Sequence, residues 1–395
     1  MTNKALNQKN KVKIYAYYLP QFHETKENNE WWGKGFTEWD NVRKAQKNFS
    51  DHNQPRIPLD NNYYDLSIKD NILWQANLAR QYCIAGFNIY HYWHSGKQLL
   101  SLPIKILREN EDININYNLT WANHSWMRTW KNNDGYGEML SKQEYESDPK
   151  EMEKHYKYLA YIMSDSRYTY VKDKLLFSIY RPYDIPNIGV YLDGLRAYIQ
   201  KELNKEIYIN SMIQYPPKDQ QFLKYIDSIS LFQPGTAMFH TDHLSNPRLT
   251  PENISILFKA KLINLNPTFR SFLYKLRNIS SKNIKYKKIN YIDMWQKILL
   301  QSKDNTYLGK QIISGAFADW DNTARYGNES TIFEAATPEN FSVFMKELFK
   351  IVSNQNQSNL IFLNSWNEWG EGAYIEPDSK NKYKYLEAIQ SLYDK

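Results

Sequence analysis

Eight short apolar runs recur along the chain, and each leads into polar and aromatic residues. Val12-Lys-Ile-Tyr-Ala-Tyr-Tyr18 leads into Leu19-Pro-Gln-Phe-His23, and Gly86-Phe-Asn-Ile-Tyr90 into His91-Tyr-Trp-His94. Ile115-Asn-Tyr-Asn-Leu-Thr120 leads into Trp121-Ala-Asn-His-Ser-Trp126, and Leu175-Leu-Phe-Ser-Ile-Tyr180 into Arg181-Pro182. Glu206-Ile-Tyr-Ile-Asn210 leads into Met212-Ile-Gln-Tyr215, and Asp227-Ser-Ile-Ser-Leu231 into Phe232-Gln-Pro234. Ile312-Ile-Ser-Gly-Ala316 leads into Phe317-Ala-Asp-Trp-Asp-Asn322, and Leu360-Ile-Phe-Leu363 into Asn364-Ser-Trp-Asn-Glu-Trp-Gly-Glu-Gly372. Runs of this length and composition read as buried strands. Helical patterns lie between most of them, at 68–84, Pro149–Met163, Ile188–Leu203 and 338–352. Strands alternating with helices imply a parallel sheet with crossover connections. Eight is the count that closes a (β/α)8 TIM barrel, and 395 residues are an ordinary length for one. The fold class expected is α/β, one barrel domain over 1–395.

Two spans exceed what the alternation needs, giving long loops after strands 1 and 6. Residues 24–66 are rich in aromatic and turn residues and read as an ordered lid, because long structureless loops are uncommon in compact domains. Residues 235–305 form a basic insertion. From 253 to 291 it holds nine Lys or Arg and no Asp or Glu, against a net charge of +7 for the whole chain. Phe258, Leu262, Leu265, Phe269, Phe272, Leu273 and Leu276 recur among those cations at helix-like spacings. That pattern suggests amphipathic helices lying on an anionic membrane surface, although charge runs usually form plain solvated faces.

A parallel barrel carries its active site at the C-terminal ends of its strands, where this chain concentrates His, Trp, Asn, Asp, Glu and Gln. The 15% aromatic content, with 32 Tyr and 12 Trp, suits a ligand that stacks on rings. After the eighth run, Glu368 and Glu371 stand three residues apart among Trp366, Trp369, Asn364 and Asn367. One helical turn brings such a pair to roughly 5–6 Å between Cβ atoms. That is near the roughly 5–5.5 Å between the carboxyls of retaining glycosidases and short of the roughly 6.5–9.5 Å of inverting ones. Carboxylates can serve as acid and base, and indoles stack on pyranose rings. Glu368 could instead cap a turn while the tryptophans pack the barrel top.

Other chemistries fit less well. There is no Gly-x-Gly-x-x-Gly or Walker motif, so no nucleotide cofactor is expected. Asp319-Trp-Asp321 is a short Asp-x-Asp that better suits hydrogen bonds to sugar hydroxyls through Asp321 than a metal. His23, His91, His94 and His124 lie at strand ends without a metalloenzyme motif, so no metal site is expected. Arg56 and Arg181 read as braces for loops. No recognition motif accompanies the basic run, which argues against nucleic acid. The polar start, the absence of about 18 consecutive apolar residues and the lone Cys83 point to the cytoplasm, with peripheral contact to the inner membrane face through 253–291.

Several motifs, in order, resemble the WbsX-like family, which is similar to glycoside hydrolase family 99. They are Tyr18-Leu-Pro-Gln-Phe-His23, Trp31-Trp-Gly-Lys-Gly-Phe-Thr-Glu-Trp39, Gln54-Pro-Arg, Tyr90-His-Tyr-Trp93, Trp121-Ala-Asn123, Trp320-Asp-Asn-Thr323 and Trp366-Asn-Glu-Trp-Gly-Glu-Gly372. The resemblance implies a (β/α)8 barrel acting on glycosidic bonds during bacterial surface-polysaccharide (lipopolysaccharide or capsule) metabolism, with an oligo- or polysaccharide partner, free or lipid-linked. It implies retention without a protein nucleophile: Glu368 deprotonates the sugar's 2-hydroxyl, which attacks the anomeric carbon, while Glu371 protonates the leaving oxygen. The residues expected at the sugar are His23, Trp39, His91, Trp93, Trp121, Asn123, His124, Asp321, Asn322, Trp366, Asn367 and Trp369. Two positions depart from the family pattern: His124 stands where it has Glu, and Ala324 where it has Pro. A glycosyltransferase or transglycosylase shares the first half-reaction and is the nearest alternative. A carbohydrate-binding barrel without catalysis is the other.

Overall fold

The eight apolar runs are eight parallel strands, and they pair in chain order. In the computed structural model, which describes residues 12–128, 137–145, 148–217, 219–239, 286–355 and 358–394, they are β1 (Lys13–Tyr18), β2 (Gly86–His94), β3 (Asn116–Trp121), β4 (Lys174–Ile179), β5 (Ile207–Ile213), β6 (Ser228–Leu231), β7 (Lys310–Phe317) and β8 (Leu360–Asn364). Consecutive strands are parallel neighbours, and β1 pairs with both β2 and β8. The sheet therefore closes into a (β/α)8 barrel. Closure removes the edge strands that an open sheet would leave to pair with another chain.

Among the described residues, seven helices pack outside: α1 (Lys69–Gln81), α2 (Leu102–Glu109), α3 (Pro149–Met163), α4 (Ile188–Leu203), α5 (Tyr291–Lys303), α6 (Pro338–Ser353) and α7 (Lys384–Gln390). A 3-10 turn, Gln221–Tyr225, serves the connection from β5 to β6. The caps explain where several helices begin. Asp148 accepts from the Lys150 amide and Pro149 opens α3. Thr337 accepts from the Asn340 amide ahead of Pro338, and Asn290 accepts from the first amides of α5. Each such cap contributes about 1 kcal/mol.

Because successive strand residues point to opposite faces, the barrel has two separate cores. Inside, Tyr15, Tyr17, Leu176, Tyr208, Met212, Ile313, Leu360 and Phe362 pack together. They share that interior with hydrogen-bonded polar side chains: Thr120 donates to Asn88, and Asn210 bridges Ser178, Ser228 and Ser230. Outside, the alternate residues pack under the helices. Trp295 of α5, for example, stacks between Phe317 and Phe344 at ring separations of 5.8 and 5.6 Å. Gly315 marks tight barrel packing, since a Cβ there would lie 1.8 Å from the Leu231 carbonyl oxygen.

The loop after β1 is ordered and carries the helices Lys26–Trp32 and Trp39–Lys44. The span 235–305 differs from the expectation of an insertion throughout. Its end is α5, a regular barrel helix with Tyr291, Trp295 and Ile298 fully buried. The cation run just before Tyr291 hid that periodicity. Residues 240–285, with most of the expected membrane-binding segment, lie outside the described residues. Of that segment's cations, Lys287 and Lys288 are described: Lys287–Asn290 pairs in parallel with Thr331–Glu334, and Lys288 Nζ lies 2.6 Å from Glu334 Oε1. Among the described residues, no helix is long and apolar enough to cross a membrane.

Candidate active site at the barrel mouth

A cavity of about 430 Å³ opens at the C-terminal ends of the strands. Tyr90 and Tyr92 of β2, His124 after β3, Tyr180 after β4 and Gln214 after β5 line it, with Trp320, Asn322 and Arg325 after β7. Glu368 and Glu371 complete the lining from the segment after β8. Met212, Phe232, Met238 and Phe239 make one wall largely apolar. A more open surface depression, bordered by Glu24, Thr25, Lys26, Asn29 and Glu30, holds none of the expected residues.

The glutamate pair owes its placement to a short, tightly folded excursion. β8 ends at Asn364, whose side-chain amide donates to the Gln233 carbonyl. Asn367–Glu368 then pairs antiparallel with Ala373–Tyr374, and a 3-10 turn, Trp369–Glu371, joins the two. Glu368 directly precedes this turn and Glu371 ends it, and both carboxyls come out on the side of Arg325. Gly372 closes the turn at φ +63°, where an L side chain would be strained. The Asp321 amide fixes it further by donating to the Glu371 carbonyl.

Both carboxyls meet one guanidinium. Arg325, from the short helix Thr323–Tyr326 after β7, places Nη2 2.8 Å from Glu368 Oε1 and Nη1 3.0 Å from Glu371 Oε1. Its Nε donates to Glu38 Oε1 at 2.9 Å. Burial pushes the Glu368 carboxyl well above the usual carboxylate range and raises Glu371 as well, while Arg325 pulls both back down. The pair therefore keeps a proton to higher pH than exposed glutamates would.

Among the expected sugar contacts, His124 and Asn322 line the cavity. His124 is held neutral, its pKa lowered to about 4 by burial and then by the Arg181 charge. Asn322 lines the cavity while its side-chain Oδ1 accepts from the Thr331 amide. The remaining residues sit elsewhere, for identifiable reasons. His91, Trp93 and Trp121 occupy the outward register of β2 and β3 and pack on α3 and α4. His91 Nε2 is 2.9 Å from His155 Nε2, Trp93 stacks on His155 at 4.5 Å, and Trp121 lies 5.4 Å from Tyr191. Trp366 is fully buried against Phe87. Trp369 stacks on Tyr374 and donates to Glu376, and Trp39 donates to the Tyr64 carbonyl amid Phe22 and Trp369.

The others are braces. Asn367 holds both the amide and the carbonyl of Leu19, and Asn123 does the same for Arg181. Asp321 accepts from Gln54 and Thr323 and meets His52 and Arg56, while Arg56 donates to Asp319. His23 is buried with Nδ1 unpaired among the described residues, its pKa lowered to about 4 by burial. No group of three His, Cys, Asp or Glu among the described residues is arranged to hold a metal.

Sequence reasoning gave no role to Arg325, Glu38, Tyr90, Tyr92 or Tyr180. Tyr90, Tyr92 and Tyr180 carried a usable signal, since alternation from the buried interior residues Asn88 and Ser178 puts them on the inner face. Glu38 stands within the Trp31–Trp39 motif and Arg325 two residues after Thr323, but nothing in either motif ties the two together, because their meeting spans 287 positions.

A model of the family described as glycosyltransferase WbsX matches residues 14–389. The uncharacterized protein WxcX of Xanthomonas campestris pv. campestris (strain B100) is 30% identical over 386 residues, covering 95% of this chain and 49% of its own length. Its counterpart in strain ATCC 33913 matches to the same extent. The chain thus spans about half the length of the curated relatives it matches. Among solved structures, a glycoside hydrolase-like protein aligns with a TM-score of 0.55 at 12% identity, over 98% of this chain and 94% of that one. The GH99 endo-alpha-mannosidase from Bacteroides thetaiotaomicron aligns with a TM-score of 0.51 at 13% identity, over 96% of each chain. At these identities the likeness to the solved structures is one of fold.

Proposed function

We propose that this chain, which belongs to the WbsX glycosyltransferase family, cleaves or transfers a glycosidic bond of a surface polysaccharide, with retention and through the substrate's own 2-hydroxyl. The observation that carries the reading is the Glu368/Glu371 pair, held on one guanidinium at the mouth of a closed (β/α)8 barrel. Two buried carboxyls with raised affinity for a proton suit general acid–base work.

In the first half-reaction, Glu368 takes the proton of the 2-hydroxyl as its oxygen bonds to the anomeric carbon. The anomeric bond to the leaving oxygen breaks, and Glu371 supplies that oxygen with a proton. In the second, water or an acceptor hydroxyl attacks the anomeric carbon and gives its proton to Glu371. The bond to the 2-oxygen breaks, and Glu368 returns the proton it took. Each carboxyl ends as it began, and two inversions at one carbon give net retention. Glu371 is the more open of the two side chains, 19% against 10% exposed, which leaves room for the leaving oxygen and then for water or an acceptor hydroxyl; the acid and base roles themselves follow the family resemblance. In this reading Tyr90, Tyr92, Trp320, His124 and Asn322, which line the cavity, contact the sugar. The substrate is an oligo- or polysaccharide, free or lipid-linked, met in the cytoplasm or at the inner membrane face.

The test is incubation with the polysaccharide made by the chain's own gene neighbourhood, with and without a lipid-linked acceptor. Free sugar of unchanged anomeric configuration selects hydrolysis, and a lengthened acceptor selects transfer. Binding without either product overturns the catalytic reading and leaves a carbohydrate-binding barrel.

A further inference from the structure

Arg325 meets a third carboxyl, and this one comes from the opposite end of the sequence. Glu38 lies in the loop after β1, directly before the helix Trp39–Lys44. Glu38 makes no side-chain cap for that helix; it turns into the barrel mouth, 4% exposed, and its Oε1 accepts from Arg325 Nε at 2.9 Å. A guanidinium is a planar fork of fixed geometry. Once Nε is engaged, the plane can no longer rotate freely, and Nη1 and Nη2 are delivered to Glu371 and Glu368.

Gly370 is a second, independent sign that this cluster is built as a unit. A Cβ at that position would lie 2.3 Å from Glu38 Oε1 and 2.8 Å from Arg325 Nε. The turn bearing the two glutamates thus rests its bare backbone on the Glu38–Arg325 pair. A side chain there would force the turn or the Glu38–Arg325 pair out of its present place.

We propose that Glu38 and Arg325 are positioning residues of the proposed reaction: the loop after β1 supplies Glu38 to lock the guanidinium, which orients both reacting carboxyls and tunes the proton they share. The inference rests on the reading of Glu368 and Glu371 as the acid–base pair. It has a definite sign. The Arg325 charge favours the ionised pair, and the Glu38 charge opposes it. The other titratable groups facing the pair are Tyr90 and Tyr92 toward Glu368, and Tyr180 and Tyr215 toward Glu371. Burial raises all four phenols, so none titrates near neutrality.

The experiment is an infrared pH titration of the protonated-carboxyl band, assigned by its loss in Glu368→Gln and Glu371→Gln. Arg325→Met should move the pair's titration upward by about one to three pH units. Glu38→Gln should move it downward, because the amide keeps an acceptor for Nε–H but removes the charge. If Arg325→Met does not fold, Arg325→Lys, which keeps a charge but not the fork, takes its place and should also move the titration upward. With a substrate in hand, Glu38→Gln should lower kcat about tenfold at unchanged KM and shift the optimum to lower pH. An unmoved titration in Glu38→Gln, or a shift in the same direction as the arginine variants, overturns the proposal. The titration needs no substrate. A native chain without turnover would therefore defeat the acid–base reading separately, while a wrong shift defeats only the role given to Glu38.

Discussion

The ends of β2 and β3 and the segment after β8 carry the same kinds of side chain, yet they end in different places. His91, Trp93 and Trp121 project outward into a buried aromatic layer with His155 and Tyr191 under α3 and α4. Glu368 and Glu371 project into the cavity on Arg325. Within the β8 segment the division repeats, since Trp366 and Trp369 turn into the core while the two acids between and beside them do not. Strand alternation decides the first case and the tight turn that follows Glu368 the second. Residue type at a strand end says little about function until its register is known.

If that division is right, the two regions should respond to substitution in opposite currencies. The largest effect belongs to Glu368→Gln, which should cut turnover by about 10²–10⁴-fold while binding and melting temperature change little. A variant that turns over normally would erase the distinction between the regions. Glu371→Gln should lose comparable activity toward substrates with poor leaving groups and much less toward activated aryl glycosides, measured as kcat/KM on both. Equal losses on the two would take the acid role away from Glu371.

On the other side, Trp121→Ala should cost about 3–5 kcal/mol of stability in a urea melt, with the folded fraction keeping its kcat/KM. Lost sugar binding at an unchanged melting temperature would move Trp121 back to the site. The smallest effect concerns pH. Burial lowers the pKa of His91 to about 3 and that of His155 well below its ordinary value. The folded chain keeps both rings neutral, while the unfolded chain takes up protons near the ordinary histidine value of about 6.5. Between those limits the unfolded state binds more protons, so stability falls as pH falls. His91→Gln should make that acid limb shallower in urea midpoints taken from pH 7 downward. A limb of unchanged slope would mean that this layer is not desolvated as described.

The barrel was legible along the chain. Eight buried runs with helical patterns between them leave few alternatives to a closed parallel sheet, and each strand found overlaps its run. That Glu368 and Glu371 project together was legible too, because three residues across a tight turn are a local distance. What tertiary structure alone decided was which aromatics face the cavity and what holds the acids. Tyr92 and Trp93 are neighbours in sequence, but one lines the cavity and the other stacks on α3. Arg325 joins Glu38, Glu368 and Glu371 only because barrel closure brings the loops after β1, β7 and β8 side by side. Local pattern can be read along a chain, whereas a contact across 287 positions exists only after the ring has closed.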